Sequence, residues 1–263
     1  MSSQQHQFPG SPQRFLFEGR YRKLVRDLPQ TIFFCPDCKG RGCDGCEGFG
    51  RLYRDSVQDL IARVAMPRFK ARRNKFHGAG REDVDVLMLG GGRPFVFEMS
   101  RVKREDINLE ELAAAINERS EGRIEVFDLK PCNRKRVAEI KQAEAEKEYL
   151  ARVEFSDTDI DFDAVDCQLE KLKTQGRWVI DQQTPQRVSH RRGKETVRQR
   201  WLELHDYAAD GDARLLTLRS QHGTYIKEAI SSDEGRTKKS ISEMIGGNCH
   251  CAQLDVLGVF LDC

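Results

Sequence analysis

Phe76-His-Gly-Ala-Gly-Arg-Glu-Asp-Val-Asp-Val86 is a glycine-bearing loop running into an apolar strand signal, with a cation, Arg81, two places before Asp83. A carboxylate at the mouth of a strand, beside an arginine that keeps it ionised, suits a nucleophile or general base. The same spacing suits an ordinary structural ion pair, and residue chemistry alone favours that plainer reading. A phosphate cradle at Gly78-x-Gly80 is not supported, because neither a lysine of the P-loop type nor a helix follows.

Working outward, Val84-Asp-Val-Leu-Met-Leu89 and Phe95-Val-Phe-Glu-Met99 read as short strands, and Gly90-Gly-Gly-Arg-Pro94 between them suits a hairpin. Asn108 can cap a helix with Glu111 in the reciprocal position and Leu109, Leu112, Ala113 and Ile116 on one face. Arg123 to Leu129 and Tyr149 to Phe155 alternate like half-buried strands, with a charged helix expected over Arg134 to Glu148 and a second over Phe162 to Thr174. Beyond Trp178 the signal is mostly strand, at Glu195 to Leu204, Arg214 to Arg219 and Leu254 to Leu261, with a short helix at Ser240 to Ile245. Strands and helices without a regular β-α-β rhythm indicate an α+β fold with a mixed, largely antiparallel central sheet flanked by helices.

Upstream, Cys35-Pro-Asp-Cys38-Lys-Gly-Arg-Gly42 is followed at once by Cys43-Asp-Gly-Cys46-Glu-Gly-Phe-Gly50, so C-x-x-C-x-G-x-G occurs twice. Each C-x-x-C offers two sulfurs from one turn, and two such turns make a closed tetrahedral site, hence structural and not catalytic. The glycines supply the backbone angles that a chain bending around a metal needs. Zinc is the expected ion, an iron–sulfur cluster being the alternative on the same ligands, and the tandem resembles half of the cysteine-rich zinc module of DnaJ-type chaperones. Residues 1–13, rich in Ser, Gln and Pro, are expected to form a disordered tail, residues 14–55 an N-terminal segment holding the knuckle at 35–50, and residues 56–263 the main domain.

The 263 residues carry 44 Lys and Arg against 42 Asp and Glu, so attraction to nucleic acid must come from clustering and not from net charge. Two clusters stand out. Arg63 to Arg81 holds seven cations and no acid, interleaved with Phe69 and Phe76; Arg187 to Arg200 holds six, opposed by Glu195 alone. A solvated charged face is the plain alternative, but acid-free runs of this length favour contact with RNA. No stretch reaches the roughly 20 apolar residues of a membrane span and no export signal is evident, so a cytoplasmic protein with reduced cysteines is expected.

The long string from Phe76 to Val86 closely resembles the tRNA pseudouridine(54/55) synthase family of archaea and eukaryotes, within which Arg-x-Asp before a strand is the catalytic segment. The resemblance continues through Gly19-Arg-Tyr-Arg-Lys-Leu24, Ser56-Val-Gln-Asp-Leu-Ile61, Gly92-Arg-Pro-Phe95, Lys147-Glu-Tyr-Leu-Ala151, Thr184-Pro-Gln-Arg-Val-Ser-His-Arg-Arg192, Gly223-Thr-Tyr-Ile-Lys-Glu228 and Asp233-Glu-Gly-Arg-Thr-Lys238, and so covers residues 15 to 262. It implies a pseudouridine synthase fold, an isomerase acting on the TΨC arm of tRNA without a catalytic cofactor, and residue roles. Asp83 is then the nucleophile, Arg81 steadies the loop and the displaced strand, Lys227 pairs with Asp83, and Tyr149 stacks on the flipped base. Without the resemblance, Lys227 reads as a surface lysine and Tyr149 as a half-buried strand tyrosine.

Arg68, Lys70, Arg72, Arg73, Lys75, His77, Arg187, His190, Arg191 and Arg192 are the expected RNA contacts, and Cys35, Cys38, Cys43 and Cys46 the metal ligands. A monomer is expected. The sequence departs from the family twice: it is read as lacking the N-terminal RNA-binding THUMP-type domain of larger members, for which a separate RNA-binding protein would compensate, and Leu87 stands where arginine is usual. The competing function is a non-catalytic RNA-binding or chaperone-like zinc protein on the same scaffold.

Overall fold

The computed structural model describes residues 13–189 and 196–261. The chain forms two compact units, one running to Asp85 and resuming over Arg93–Gln142, the other taking Val86–Gly92 and everything from Ala143 onward. The expected tail therefore lies almost wholly outside the described residues, as do His190, Arg191 and Arg192.

The first unit contains β1 (Arg14–Lys23), α1 (Val57–Arg68), β2 (Arg73–Gly78), the C-terminal part of β3 (Leu87–Ser100), α2 (Leu109–Arg119), β4 (Ile124–Pro131) and α3 (Arg134–Gln142). β1 lies between β4 and β3, and β2 pairs antiparallel with β3. Helix starts follow side-chain chemistry: Ser56 accepts from the Asp59 amide at 3.0 Å, and Asn108 accepts from Glu110 and Glu111 at 2.9 and 3.2 Å. α2 buries Leu109, Leu112 and Ile116, the face anticipated from their spacing. The core is aromatic, with the Phe17 ring 5.4 Å from Phe97, 6.2 Å from Phe95 and 6.4 Å from Phe69. Phe69 is fully buried and so is not displayed among the surface cations, whereas Phe76 is half-buried and stacks on Phe95 at 5.2 Å.

The second unit contains the start of β3, β5 (Glu146–Phe155), α4 (Phe162–Gln175), β6 (Trp178–Gln182), α5 (Gln186–Ser189), β7 (Arg198–Asp210), β8 (Ala213–Ser220), α6 (Ile226–Ser231), β9 (Thr237–Lys238), α7 (Ile241–Ile245) and β10 (Cys249–Phe260). Its strands run in the order β3-β10-β5-β8-β7-β6-β9. The β3–β10 pair is parallel and the remaining pairs are antiparallel, so the sheet is mixed and the fold α+β. Alternation places Ala151, Val153, Leu216, Leu218, Leu202 and Leu204 in the core. α4 packs on β7, and α6 on β10.

Two local expectations fail. Gly90-Gly-Gly-Arg-Pro94 is no hairpin, because β3 runs unbroken through it. The glycine is needed for close approach: Gly90 has φ +52°, and a Cβ there would lie 1.8 Å from the Leu257 carbonyl oxygen of β10. The charged helix expected to reach Glu148 ends at Gln142, and β5 takes Glu146 to Glu148 into its ladder with β8 and β10. Among the described residues no helix is long and apolar enough to cross a membrane.

Candidate active site

The segment from Ala79 to Val86 has almost no regular structure, so its backbone carbonyls need partners. Side chains provide them. Arg93 donates to Ala79 O at 2.8 Å, Gln30 to Gly80 O at 3.1 Å, and Arg26 to Asp85 O at 2.6 Å. Lys23, fully buried at the end of β1, donates from Nζ to Asp83 O at 3.1 Å, Val84 O at 2.9 Å and Leu28 O at 2.9 Å. Burial, only partly offset by Glu82 and Asp85, brings the Lys23 ammonium down to about 8.

The loop's deeply buried carboxylate is Glu82, not Asp83. Its oxygens accept from Tyr21 Oη at 2.8 and 2.9 Å and from Arg93 Nε at 2.8 Å, while Gln30 donates to Tyr21 Oη at 2.8 Å. Burial, reinforced by the neighbouring Glu82 charge, pushes the Tyr21 phenol well above its ordinary range. Glu82 and Arg93 thus form a buried structural ion pair. Asp83 itself is half-buried, and Arg81 is exposed with its guanidinium 4.5 Å from the centre of the Phe33 ring.

In the second unit Tyr149 sits on β5 opposite Val256 of β10 and Leu218 of β8 and is only 8% exposed, more enclosed than a half-buried strand tyrosine. Lys227 is the second residue of α6 and half-buried. The start of that helix is fixed by Gln182, whose amide accepts from Tyr225 N at 2.8 Å and donates to Tyr225 O at 2.9 Å. Arg187 of α5 pairs with the buried Glu228 beside Lys227. Gln183 N donates to Arg236 O, and Arg236 to Thr184 O, both at 2.9 Å. Three segments singled out in the sequence, around Thr184, Lys227 and Arg236, are knitted together in this way.

Of the other expected RNA contacts, Lys70, Arg72, Arg73 and Lys75 are exposed on and before β2. Arg68 donates to Glu111 O at 3.1 Å, and His77 is held against Glu98 at 3.0 Å.

The four cysteines converge. Their sulfurs all lie within 4.8 Å of one another, with Cys35–Cys43, Cys38–Cys46 and Cys43–Cys46 at 3.9, 3.8 and 3.6 Å. A single tetrahedral ion with sulfur bonds of about 2.3 Å spaces its ligands about 3.8 Å apart, so the set fits one metal ion. Amides of Gly42, Cys43 and Gly50 donate to Cys38 Sγ and Cys46 Sγ at 3.2, 3.3 and 3.1 Å. Burial raises the Cys46 thiol, but hydrogen bonds from the amides of Cys43 and Gly50 together with the Cys43 and Cys38 thiols bring the group down to about 7, while the partner Cys43 thiol is pushed up to about 12. The repeated glycines interlock: a Cβ on Gly42 would lie 2.6 Å from Gly48 O, and one on Gly50 2.6 Å from Gly40 O.

Fold and site together define an α+β protein with a four-cysteine cluster that could hold a metal ion and a carboxylate-bearing loop anchored by buried cations. The family model described as Pus10, C-terminal, matches residues 16–260, and the chain belongs to that family. It is 44% identical over 247 residues to the tRNA pseudouridine synthase Pus10 of Methanosphaera stadtmanae, covering 93% of this chain and 59% of the relative. Proteins of the same name from Methanothrix thermoacetophila and Methanocaldococcus jannaschii are 42% and 41% identical, with 92% of this chain and 52% of each relative covered. The chain thus spans a little over half the length of these relatives. Among solved structures, a chain of a Cbf5-Nop10-Gar1 complex aligns over 93% of this chain and 50% of its own length, at 15% identity and a TM-score of 0.47. The family resemblance carried by the Phe76–Val86 string is borne out.

The sequence reading missed Lys23, Gln30, Glu82 and Arg93. A signal existed for Lys23: Phe17, Gly19, Tyr21 and Lys23 share the buried register of β1, where a lysine must find acceptors.

Proposed function

We propose that this protein is a tRNA pseudouridine synthase that isomerises uridine in the TΨC arm, at position 54, 55 or both, with Asp83 as nucleophile. The observation that carries the reading is a family match along nearly the whole chain, with Asp83 seated in a loop whose backbone is tied down on both sides. Its relatives bear the tRNA pseudouridine synthase name.

Uridine must leave the RNA stack to react, which costs a few kcal/mol that phosphate contacts and stacking offset. Lys70, Arg72, Arg73 and Lys75 are exposed cations suited to the phosphates. Asp83 starts cleavage of the N1–C1′ bond, the freed base turns, and C5 bonds to C1′. The C5 proton leaves and N1 gains one, so no cofactor or redox partner is required. Arg81, Tyr149 and Lys227 complete the catalytic set. The tetrathiolate centre holds Zn²⁺, is closed, and serves structure alone. On this reading the protein works in the cytoplasm, as a monomer on tRNA, alongside any further RNA-binding element.

Incubation of the chain and of Asp83→Ala with unmodified tRNA, followed by carbodiimide-dependent primer extension, tests the reading. A new stop in the TΨC arm with the native chain and none with the variant is expected. Absence of a stop with the native chain overturns the reading.

A further inference from the structure

A lysine removed from water is costly unless its N–H groups find acceptors, and Lys23 is fully buried. All three of its donors are used on backbone carbonyls and none on a carboxylate. Two of those carbonyls belong to Asp83 and Val84, consecutive residues, and the third to Leu28 in the segment after β1. Fixing the carbonyls on either side of the Val84 Cα sets the backbone just after Asp83. Arg93 and Gln30 fix it at Ala79 and Gly80, ahead of Asp83. With both approaches held, the direction of the Asp83 Cα–Cβ bond has little freedom.

We propose that Lys23 is a positioning residue for the nucleophile: its ammonium clamps the Asp83 and Val84 carbonyls and so aims the Asp83 carboxylate, without itself touching substrate. This inference rests on the reading of Asp83 given above. Misplacing a reacting group by about 1 Å costs on the order of 100-fold in rate, so the clamp matters to catalysis far more than to binding.

The charged groups facing Lys23 are Glu82 and Asp85, which favour its ammonium, and Arg93 and Arg26, which oppose it. When the ammonium becomes an amine, near pH 8, one of its three donors is lost and a lone pair faces a carbonyl.

The test uses the zinc-loaded 263-residue chain and Lys23→Met, which keeps the length of the side chain without its donors. Single-turnover rate on unmodified tRNA, tRNA affinity by filter binding, and hydrogen–deuterium exchange of residues 79–86 are measured on both. The variant is expected to lose about 100-fold in rate with unchanged affinity and to exchange faster at 79–86 alone. The native rate is expected to fall as pH rises through about 8, a limb that the variant lacks. A native rate in the variant, or a slowed rate with unaltered exchange at 79–86, overturns the proposal. If the variant does not fold, the native chain decides: no change in rate or in intrinsic-corrected exchange at 79–86 across that pH range is equally fatal. If the native chain forms no pseudouridine, the reading of function fails, while the exchange comparison still reports on the clamp by itself.

Discussion

Replacing Glu82 by alanine removes the carboxylate shared by Arg93 and Tyr21, whose donors stand 2.8 to 2.9 Å away in a pocket where the Glu82 and Arg93 side chains are 0% and 1% exposed. Arg93 keeps its bond to Ala79 O but loses the Glu82 carboxylate that it pairs with in the buried pocket. Breaking such a pair from one side costs about 3–5 kcal/mol, most of it the penalty of the stranded charge. For a chain of this size about 1 kcal/mol moves the melting temperature by roughly 2–4 °C, so a drop on the order of 10 °C is expected. The double variant Glu82→Met with Arg93→Met removes both charges and fills the space, and should recover most of that loss. Thermal melts of the native chain, Glu82→Met, Arg93→Met and the double variant form a cycle that yields the coupling energy of the pair. A Glu82→Ala variant within about 1 kcal/mol of native, or a double variant whose loss equals the sum of the singles, would refute the buried-pair reasoning.

Asp83→Asn, one position away, should leave the melting temperature within a few degrees of native while abolishing pseudouridine formation, since Asp83 is half-buried, unlike the fully enclosed Glu82, and the amide keeps its size. Gly42→Ala and Gly50→Ala should each weaken metal retention, measured as zinc remaining after dialysis against a chelator, because their Cβ atoms meet backbone oxygens at 2.6 Å. Gly48→Ala, whose Cβ meets nothing within 4 Å but whose φ is +79°, should suffer only the conformational cost of about 1–2 kcal/mol. Stripping the metal should make residues 33–54 susceptible to protease, and re-addition of Zn²⁺ should restore protection; equal cleavage in both states would discount a structural ion. Lys23 has its folded pKa, about 8, below the ordinary 10.5, so the buried ammonium burdens the native state fully below pH 8. Its contribution to stability therefore rises with pH between about 8 and 10.5, by about 3 kcal/mol in all, a trend the Lys23→Met melting curves should lack.

Patterns set by neighbouring residues were legible in the sequence. The C-x-x-C-x-G-x-G tandem specifies its centre because ligand, amide donor and left-handed turn lie within eight residues of one another. Helix starts at Ser56, Asn108 and Ser240 could be read for the same reason, the capping oxygen and the amides it receives being adjacent in the chain. Gly90 misled because an identical glycine run serves either a turn or the close passage of another strand, and only the position of Leu257, far along the chain, distinguishes them.

For the Asp83 loop, the sequence by itself determined that Arg81, Glu82 and Asp83 precede a strand in a family-like string. It could not say which carboxylate would be buried, because Glu82 and Asp83 differ locally by one methylene. That choice depends on Tyr21 from β1 and Arg93 from β3, which lie 61 and 11 residues away and converge on Glu82 only when the sheet forms. Lys23, 60 residues from Asp83, likewise meets its carbonyls only in the folded chain. Local order fixes what each residue can do chemically; burial and long-range partners decide which carboxylate becomes scaffold and which is left half-exposed.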